Sequence, residues 1–256
     1  MPNFNSSLKE KIDHSILHNK ALLLDFDGTL MDYQKNERWA LEKLCFKIDL
    51  PIELHEKAIH DYIEFNNHYW KLFEQKKISI DDARHKGFED LINNYNLEAD
   101  SKELNEHFLE CLIEATIIDD EIINKLNSFK VLDTKLIIIT NGSHRAQTER
   151  LKNSGLLDII DTYFTSESVG FAKPHPKMFE ESKKYLQSIK CSTDNLWVVG
   201  DNLEADIKGG YNVGFDTCWI TNEKRLLRNG YPTIQTSNFL EFADYYLQIK
   251  ENELHI

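Results

Sequence analysis

The chain has 256 residues and a mass of 30.0 kDa, enough for one large domain or two small ones and too long for a peptide or linker. Hydrophobic residues make up 41% and charged residues 29%, with only 10 Gly and 5 Pro, a balance that excludes a disordered or collagen-like chain. Thirty Lys and Arg against 43 Asp and Glu leave a formal charge of −13, which repels polyanions, so neither nucleic acid nor an anionic membrane is expected as a partner.

In chain order, Ser7 and Glu10 form an S-x-x-E capping pattern, and Leu8, Ile12 and Ile16 recur at helical spacing. A short amphipathic helix is expected within residues 1–20. Ala21 to Leu24 is a short, uninterrupted apolar run that ends sharply at Asp25, the pattern of a strand buried on both faces. Residues from about 32 to 115 are helical in periodicity and rich in aromatics, with no buried strand, so an inserted all-helical domain is expected there. Buried runs return at Leu136 to Ile139 and Leu196 to Val199, with weaker ones at Tyr163 to Thr165 and Thr217 to Ile220, all separated by helical lengths. That alternation implies an α/β fold: a Rossmann-like parallel sheet covered by helices on both faces, built from residues 1–31 and 116–256.

The four cysteines, Cys45, Cys111, Cys191 and Cys218, contain no Cys-x-x-Cys pair, which fits buried free thiols better than a disulfide framework or a zinc ribbon. No apolar run approaches the roughly 18–20 residues of a membrane span, and the first twenty residues lack a signal-like apolar core, so a cytoplasmic location is expected.

Polar residues follow each strong strand: Asp25-Phe26-Asp27-Gly28-Thr29, then Thr140-Asn141-Gly142, then Gly200-Asp201. In open α/β sheets ligands bind beyond the carboxyl ends of the strands, so these tips are expected to share one crevice. Asp25 and Asp27 point to the same side, and two like charges so close need a cation or a shared proton. Mg²⁺, a hard cation that takes carboxylate oxygens and keeps waters for a phosphate to displace, fits that need. In the plainer reading, Asp and Gly only shape a turn. Asp201 and Asp206 add two acids after another buried strand, which favours a metal site. Lys173 is an ordinary surface lysine unless the fold brings it to the tips, where its charge would offset the acids.

In order and context, these residues resemble the four signature motifs of the haloacid dehalogenase superfamily. The first, D-x-D-G-T, is Asp25 to Thr29; the second, an apolar strand ending in Ser or Thr, is Ile137 to Thr140; the third is Lys173; the fourth, G-D-x-x-x-x-D, is Gly200 to Asp206. The resemblance implies a helical cap at residues 32–115. Ile139 to Gly142, Ser168 to Pro174, Gly200 to Ile207 and the segment Asn67-His68-Tyr69-Trp70 are similar to the branch that contains bacterial pyrimidine nucleoside 5′-monophosphatases. This resemblance implies Mg²⁺-dependent hydrolysis of a small-molecule phosphomonoester by a monomer or weak homodimer. Asp25 is then the nucleophile and Asp27 the proton donor and acceptor. Asp25, Asp201, Asp206 and the Asp27 backbone carbonyl would hold the metal. Thr140, Lys173 and the backbone N–H groups of Gly28 and Asn141 would hold the phosphoryl oxygens. In the cap, Trp70, Asn66 and Asn67 are the candidates for contacting a base.

Three other readings compete. A 2-haloacid hydrolase uses an attacking Asp without Mg²⁺ and has no use for Asp27. A sugar-phosphate phosphatase or phosphomutase shares every core motif. A binding or regulatory protein on the same fold would not need all the chemical positions filled. His144 and His175 read as ordinary loop or helix residues, and Tyr62, Phe65, Tyr69 and Phe73 as a stripe that packs a core.

Overall fold

A computed structural model describes residues 6–75, 77–223 and 231–254. Its chain divides into two compact units, residues 1–32 with 117–256, and residues 33–116.

Among the described residues, the larger unit is an α/β sandwich around six parallel strands in the order β3-β2-β1-β4-β5-β6. These are β1 (Ala21–Leu24), β2 (Lys135–Thr140), β3 (Thr162–Thr165), β4 (Trp197–Gly200), β5 (Asp216–Ile220) and β6 (Ile234–Thr236). Leu22 of β1 sits between Leu136 and Trp197, so the central strands are in step and their carboxyl ends are level. Alternation sends Leu22, Leu24, Leu136, Ile138 and Val199 to one face and Ala21, Leu23, Ile137, Ile139 and Val198 to the other. On the first face they meet Ile12 and Ile16 of α1 (Ser6–His18), together with Leu126 and Phe129, and Phe242 and Tyr246. On the second they meet Met178, Phe179 and Leu186. Both faces of the strands are buried, which is why they read as continuous apolar runs instead of alternating ones.

Ser7 lies inside α1, so it does not act as the helix's N-cap. β6, Ile-Gln-Thr, escapes a search for apolar runs because it is a three-residue strand at the edge of the sheet.

The smaller unit consists of α2 (Tyr33–Lys47), α3 (His55–Glu74), α4 (Ile80–Tyr95) and α5 (Ser101–Glu114). Helix starts are written locally. Ser79 accepts from Asp82 N and takes the Asp82 carboxylate on its own N–H, while Asp100 accepts from Lys102 N and Glu103 N. Leu41, Leu44, Ile59, Tyr62, Phe88, Leu91, Leu104 and Phe108 form its core. Tyr62 and Phe88 pack with ring centroids 4.3 Å apart, so this member of the aromatic stripe is core.

In the larger unit the remaining helices are α6 (Asp120–Val131), α7 (His144–Asn153), α8 (Ser166–Val169), α9 (Pro176–Ser188), α10 (Gly209–Asn212) and α11 (Phe239–Leu254), with a π-helical turn at Leu203–Lys208 leading into α10. All four cysteines are free thiols; Cys45 and Cys218 are buried, whereas Cys111 and Cys191 are partly exposed, a correction to the expectation that all four are buried. Among the described residues no helix is long and apolar enough to cross a membrane.

Candidate active site

Each strand tip contributes through its own local geometry. β1 hands over to Asp25, whose N–H donates to Val199 O at 2.9 Å and so stays in the sheet. β4 ends at Gly200, and Trp219 Nε1 of β5 holds the following Asp201 by its carbonyl at 2.8 Å. Asn202 caps the π-helical turn by accepting from Glu204 N and Ala205 N, which sets Asp206 back toward the β4 tip. The result is a cluster in which one carboxylate oxygen each of Asp25, Asp201 and Asp206 lie within 4.8 Å of one another.

Lys173 stands among them. Its Nζ lies 2.6 Å from Asp25 Oδ1, 2.6 Å from Asp206 Oδ1 and 2.8 Å from the Ile139 carbonyl. The ammonium donates to Asp25 Oδ1 and the Ile139 carbonyl and pairs closely with Asp206, so Lys173 serves first as counter-ion to the acids, and a phosphoryl oxygen has to compete with those contacts. Burial lowers the pKa of Lys173, but Asp206 and Asp25 outweigh it and hold the ammonium charged. Burial pushes the Asp25 pKa well above the usual carboxylate value, with Lys173 opposing and Asp206 and Asp201 adding to the rise. Asp201 is exposed as a residue, yet its carboxyl is in the cluster, where desolvation and then Asp206 push its pKa up to about 7 against Lys173.

Three carboxylates and one ammonium leave a local excess of two negative charges, and the donors are all hard oxygens. That set suits Mg²⁺. The glycines of the motifs make the approach possible: a Cβ at Gly28, whose φ is +86°, would lie 2.3 Å from Asp201 Oδ2, and one at Gly200 would lie 2.4 Å from Asp206 Oδ2. Gly28→Ala is therefore expected to raise the Mg²⁺ concentration needed for half-activity at least about tenfold, the scale of a disturbed ligand shell. A Mg²⁺ titration unchanged from wild type would contradict this.

The other predicted residues fall in several places. Asp27 is not in the three-acid cluster. Its Oδ1 is 2.6 Å from Arg150 Nη2, and its Oδ2 accepts from Arg150 Nη1 at 3.0 Å and Gln147 Nε2 at 2.7 Å. The Gly28 N–H, expected to hold a phosphoryl oxygen, instead donates to Met31 O at 3.0 Å, and the residue's visible role is to make room for Asp201. Thr140 is buried at the end of β2, and its Oγ1 accepts from Gln147 Nε2 at 2.7 Å. The Asn141 side chain clamps the segment that carries Lys173, with Nδ2 donating to Lys173 O at 3.0 Å and Oδ1 accepting from Lys173 N at 2.7 Å. In the helical unit Asn66 is buried and donates to Glu37 Oε1 at 3.2 Å, Asn67 is exposed, and Trp70 is half-buried against Phe73. His144 opens α7 and stacks on Tyr163, while His175 Nδ1 accepts from Lys177 N at the start of α9. Gln147 and Arg150 were not singled out from the sequence, where they read as ordinary helix residues.

Residues 22–220 match the family model described as haloacid dehalogenase-like hydrolase. The chain belongs to that family. It is 32% identical to HAD-hydrolase YfnB of Bacillus subtilis over 80% of this chain and 86% of the relative. It is 31% identical to pyrimidine 5′-nucleotidase PynA of Streptococcus pneumoniae, over 88% and 94%, and 31% to pyrimidine 5′-nucleotidase YjjG of Escherichia coli, over 86% and 94%. The crystal structure of YfnB bound to magnesium superposes with a TM-score of 0.79 at 29% identity, covering 89% of this chain and 98% of that one. A family member with the D-x-D-G-T tip and its partner tips in place is a hydrolase with an acidic, cation-ready site.

Proposed function

We propose that this hydrolase is a Mg²⁺-dependent phosphatase that forms an aspartyl phosphate on Asp25 and prefers pyrimidine nucleoside 5′-monophosphates. The observation that carries the reading is the convergence of Asp25, Asp201 and Asp206 around Lys173, in a chain that matches two pyrimidine 5′-nucleotidases over 94% of their lengths.

The chemistry assigned to the residues is a two-step displacement. An Asp25 carboxylate oxygen forms a bond to phosphorus as the bond to the leaving oxygen breaks, and Asp27 supplies the proton that the leaving oxygen takes up. In the second step Asp27 takes a proton from water, the water oxygen bonds to phosphorus, and Asp25 is released with inorganic phosphate. Bound by Asp25, Asp201 and Asp206, with the Asp27 backbone carbonyl as a further ligand, Mg²⁺ supplies charge neutralisation at the phosphoryl oxygens. Thr140, Lys173 and the Asn141 N–H are the donors for those oxygens. Residues 32–115 are the cap of this reading. The pairing of Asp27 with Arg150 and Gln147 sets it against 2-haloacid hydrolysis, which has no use for a held second acid.

The same reading puts the enzyme in the cytoplasm, where its four free thiols stay reduced. The test is phosphate release from a panel of nucleotides, sugar phosphates and other small phosphomonoesters, with and without Mg²⁺. Pyrimidine nucleoside 5′-monophosphates are expected to rank first, and a panel led by sugar phosphates would replace this substrate class with that one.

Core residues contact only phosphate and metal, which every phosphomonoester shares, so discrimination is assigned to the helical unit, with Trp70 stacking on the base and Asn66 and Asn67 as polar contacts. Trp70→Ala is expected to lower kcat/KM for UMP by about tenfold or more, since a base stack contributes on the order of 1–3 kcal/mol. The value for p-nitrophenyl phosphate should move little. Equal losses on both substrates would mean that Trp70 only packs the helices together.

A further inference from the structure

Gln147 and Arg150 sit about one turn apart on α7, on the face that also carries Ala146 and Leu151. Arg150 is 2% exposed; its Nη1 donates to Asp27 Oδ2, and its Nη2 lies 2.6 Å from Asp27 Oδ1 as an ion pair that makes no hydrogen bond. The same group donates from Nη1 to Gln147 Oε1 at 2.7 Å and from Nη2 to Met31 Sδ at 2.9 Å, and its carbon lies 5.0 Å over the Phe26 ring. Gln147 donates from one amide nitrogen to Asp27 Oδ2 and to Thr140 Oγ1, each at 2.7 Å. The amide can face only one way, because a guanidinium only donates and a carboxylate only accepts. Room for it is built into the β2 tip: a Cβ on Gly142 would lie 2.6 Å from both Cγ and Nε2 of Gln147.

Stability alone is a weak reason for this arrangement, since desolvation offsets most of what a buried ion pair gains. Its geometric effect is strong. Arg150 and Gln147 together hold Asp27 Oδ2 by two hydrogen bonds and leave Oδ1 buried with no hydrogen bond, so the carboxylate is turned one way with Oδ1 as its free oxygen. The Gln147 N–H also occupies a lone pair of Thr140 Oγ1, which turns the hydroxyl hydrogen away from Gln147. We propose that Gln147 and Arg150 are positioning residues for the reaction: they aim the Asp27 carboxylate at the leaving oxygen, and Gln147 also aims the Thr140 hydroxyl at the phosphoryl group. This rests on the phosphatase reading with Asp27 as proton donor and acceptor. In the first step the proton passes from Asp27 to the leaving oxygen, and Arg150 and Gln147 keep the resulting carboxylate in place through Oδ2. In the second the carboxylate, still held, takes the proton of the attacking water.

The test measures kcat, KM and the Mg²⁺ midpoint of Arg150→Met, Gln147→Met, Asp27→Asn and the double variant Asp27→Asn with Arg150→Met. Substrates are UMP and p-nitrophenyl phosphate. Each positioning variant is expected to lower kcat on UMP about 10–100-fold, part of the roughly 10²–10⁴-fold that acid–base catalysis contributes, with the Mg²⁺ midpoint unmoved. Losses on p-nitrophenyl phosphate should be smaller, because its leaving group departs without a proton. The double variant should lose far less than the product of the two single losses, because Arg150 acts mainly through Asp27 and only by way of Gln147 on Thr140. Losses that multiply in the double variant, or a wild-type kcat in Arg150→Met, would overturn the positioning role while leaving the phosphatase reading intact. If Arg150→Met does not fold, Arg150→Lys, which keeps the charge and loses the planar guanidinium that reaches Asp27 and Gln147 together, decides in its place: reduced kcat supports the proposal and full kcat overturns it. Full kcat in Asp27→Asn would sink the acid–base assignment itself.

Discussion

Replacing Asp25 with Asn is expected to lower turnover by about 10⁴-fold or more while leaving the fold intact. The amide has the carboxylate's shape but cannot attack phosphorus, and loss of a covalent nucleophile is an effect of that order. The surroundings tolerate it. The amide oxygen can keep Lys173, which also retains Asp206 and the Ile139 carbonyl, and the amide nitrogen can take the place of the oxygen that accepts from Thr29 Oγ1 at 3.1 Å. The sign of the stability change comes from the raised pKa of Asp25. A carboxyl whose folded pKa lies above its unfolded value opposes folding once pH exceeds the unfolded value, so the neutral amide should match or raise the melting temperature at pH 7. Kinetics and a thermal melt check both halves. A phosphoryl or fluorometallate adduct trapped on a residue other than Asp25 would refute the assignment.

Removal of divalent cations is the second large effect. EDTA should abolish turnover and Mg²⁺ should restore it, because the single charge of Lys173, shared between Asp25 and Asp206, offsets only one of the three carboxylate charges at the strand tips. The same imbalance predicts a thermal signature independent of activity. Ligand at 100 times its dissociation constant stabilises by about 2.7 kcal/mol, which for a chain of this size corresponds to roughly 5–10 °C in melting temperature. Asp201→Asn should shrink that shift. Equal turnover and equal melting temperatures in EDTA and Mg²⁺ would remove the metal from the account.

The core of the sheet was legible because strands buried on both faces leave no polar residue inside the run, and Asp25, Thr140 and Gly200 each mark the end of one. The flanking positions were less so: Lys135 and Asp216 begin strands with a polar residue, and β6 has Gln235 at its centre. In the site, a charge directly after a buried strand has few roles, which marks Asp25 and Asp201, whereas Lys173, beyond α8, and Asp206, inside a helical turn, are marked only by their order among the family's motifs. Gly28 was assigned its N–H when what matters is its missing side chain, a fact about Asp201 far along the chain. Gln147 and Arg150 stayed hidden for the same reason. Their partner Asp27 lies more than a hundred residues earlier, and local periodicity carries no record of such a contact. Polar residues on a helix face shared with Ala146 and Leu151 were the available signal.

Three of these tips carry a glycine whose absent Cβ is replaced by another residue's polar end: Gly28 by Asp201, Gly142 by Gln147, Gly200 by Asp206. Their heredity is therefore joint. A substitution at any one glycine displaces the group it accommodates, and that group is itself needed by the site, so viable descendants of this sequence should leave both members of each pair untouched. A random-mutagenesis screen for revertants of Gly142→Ala should accordingly recover the return of glycine at 142 ahead of any change at Gln147.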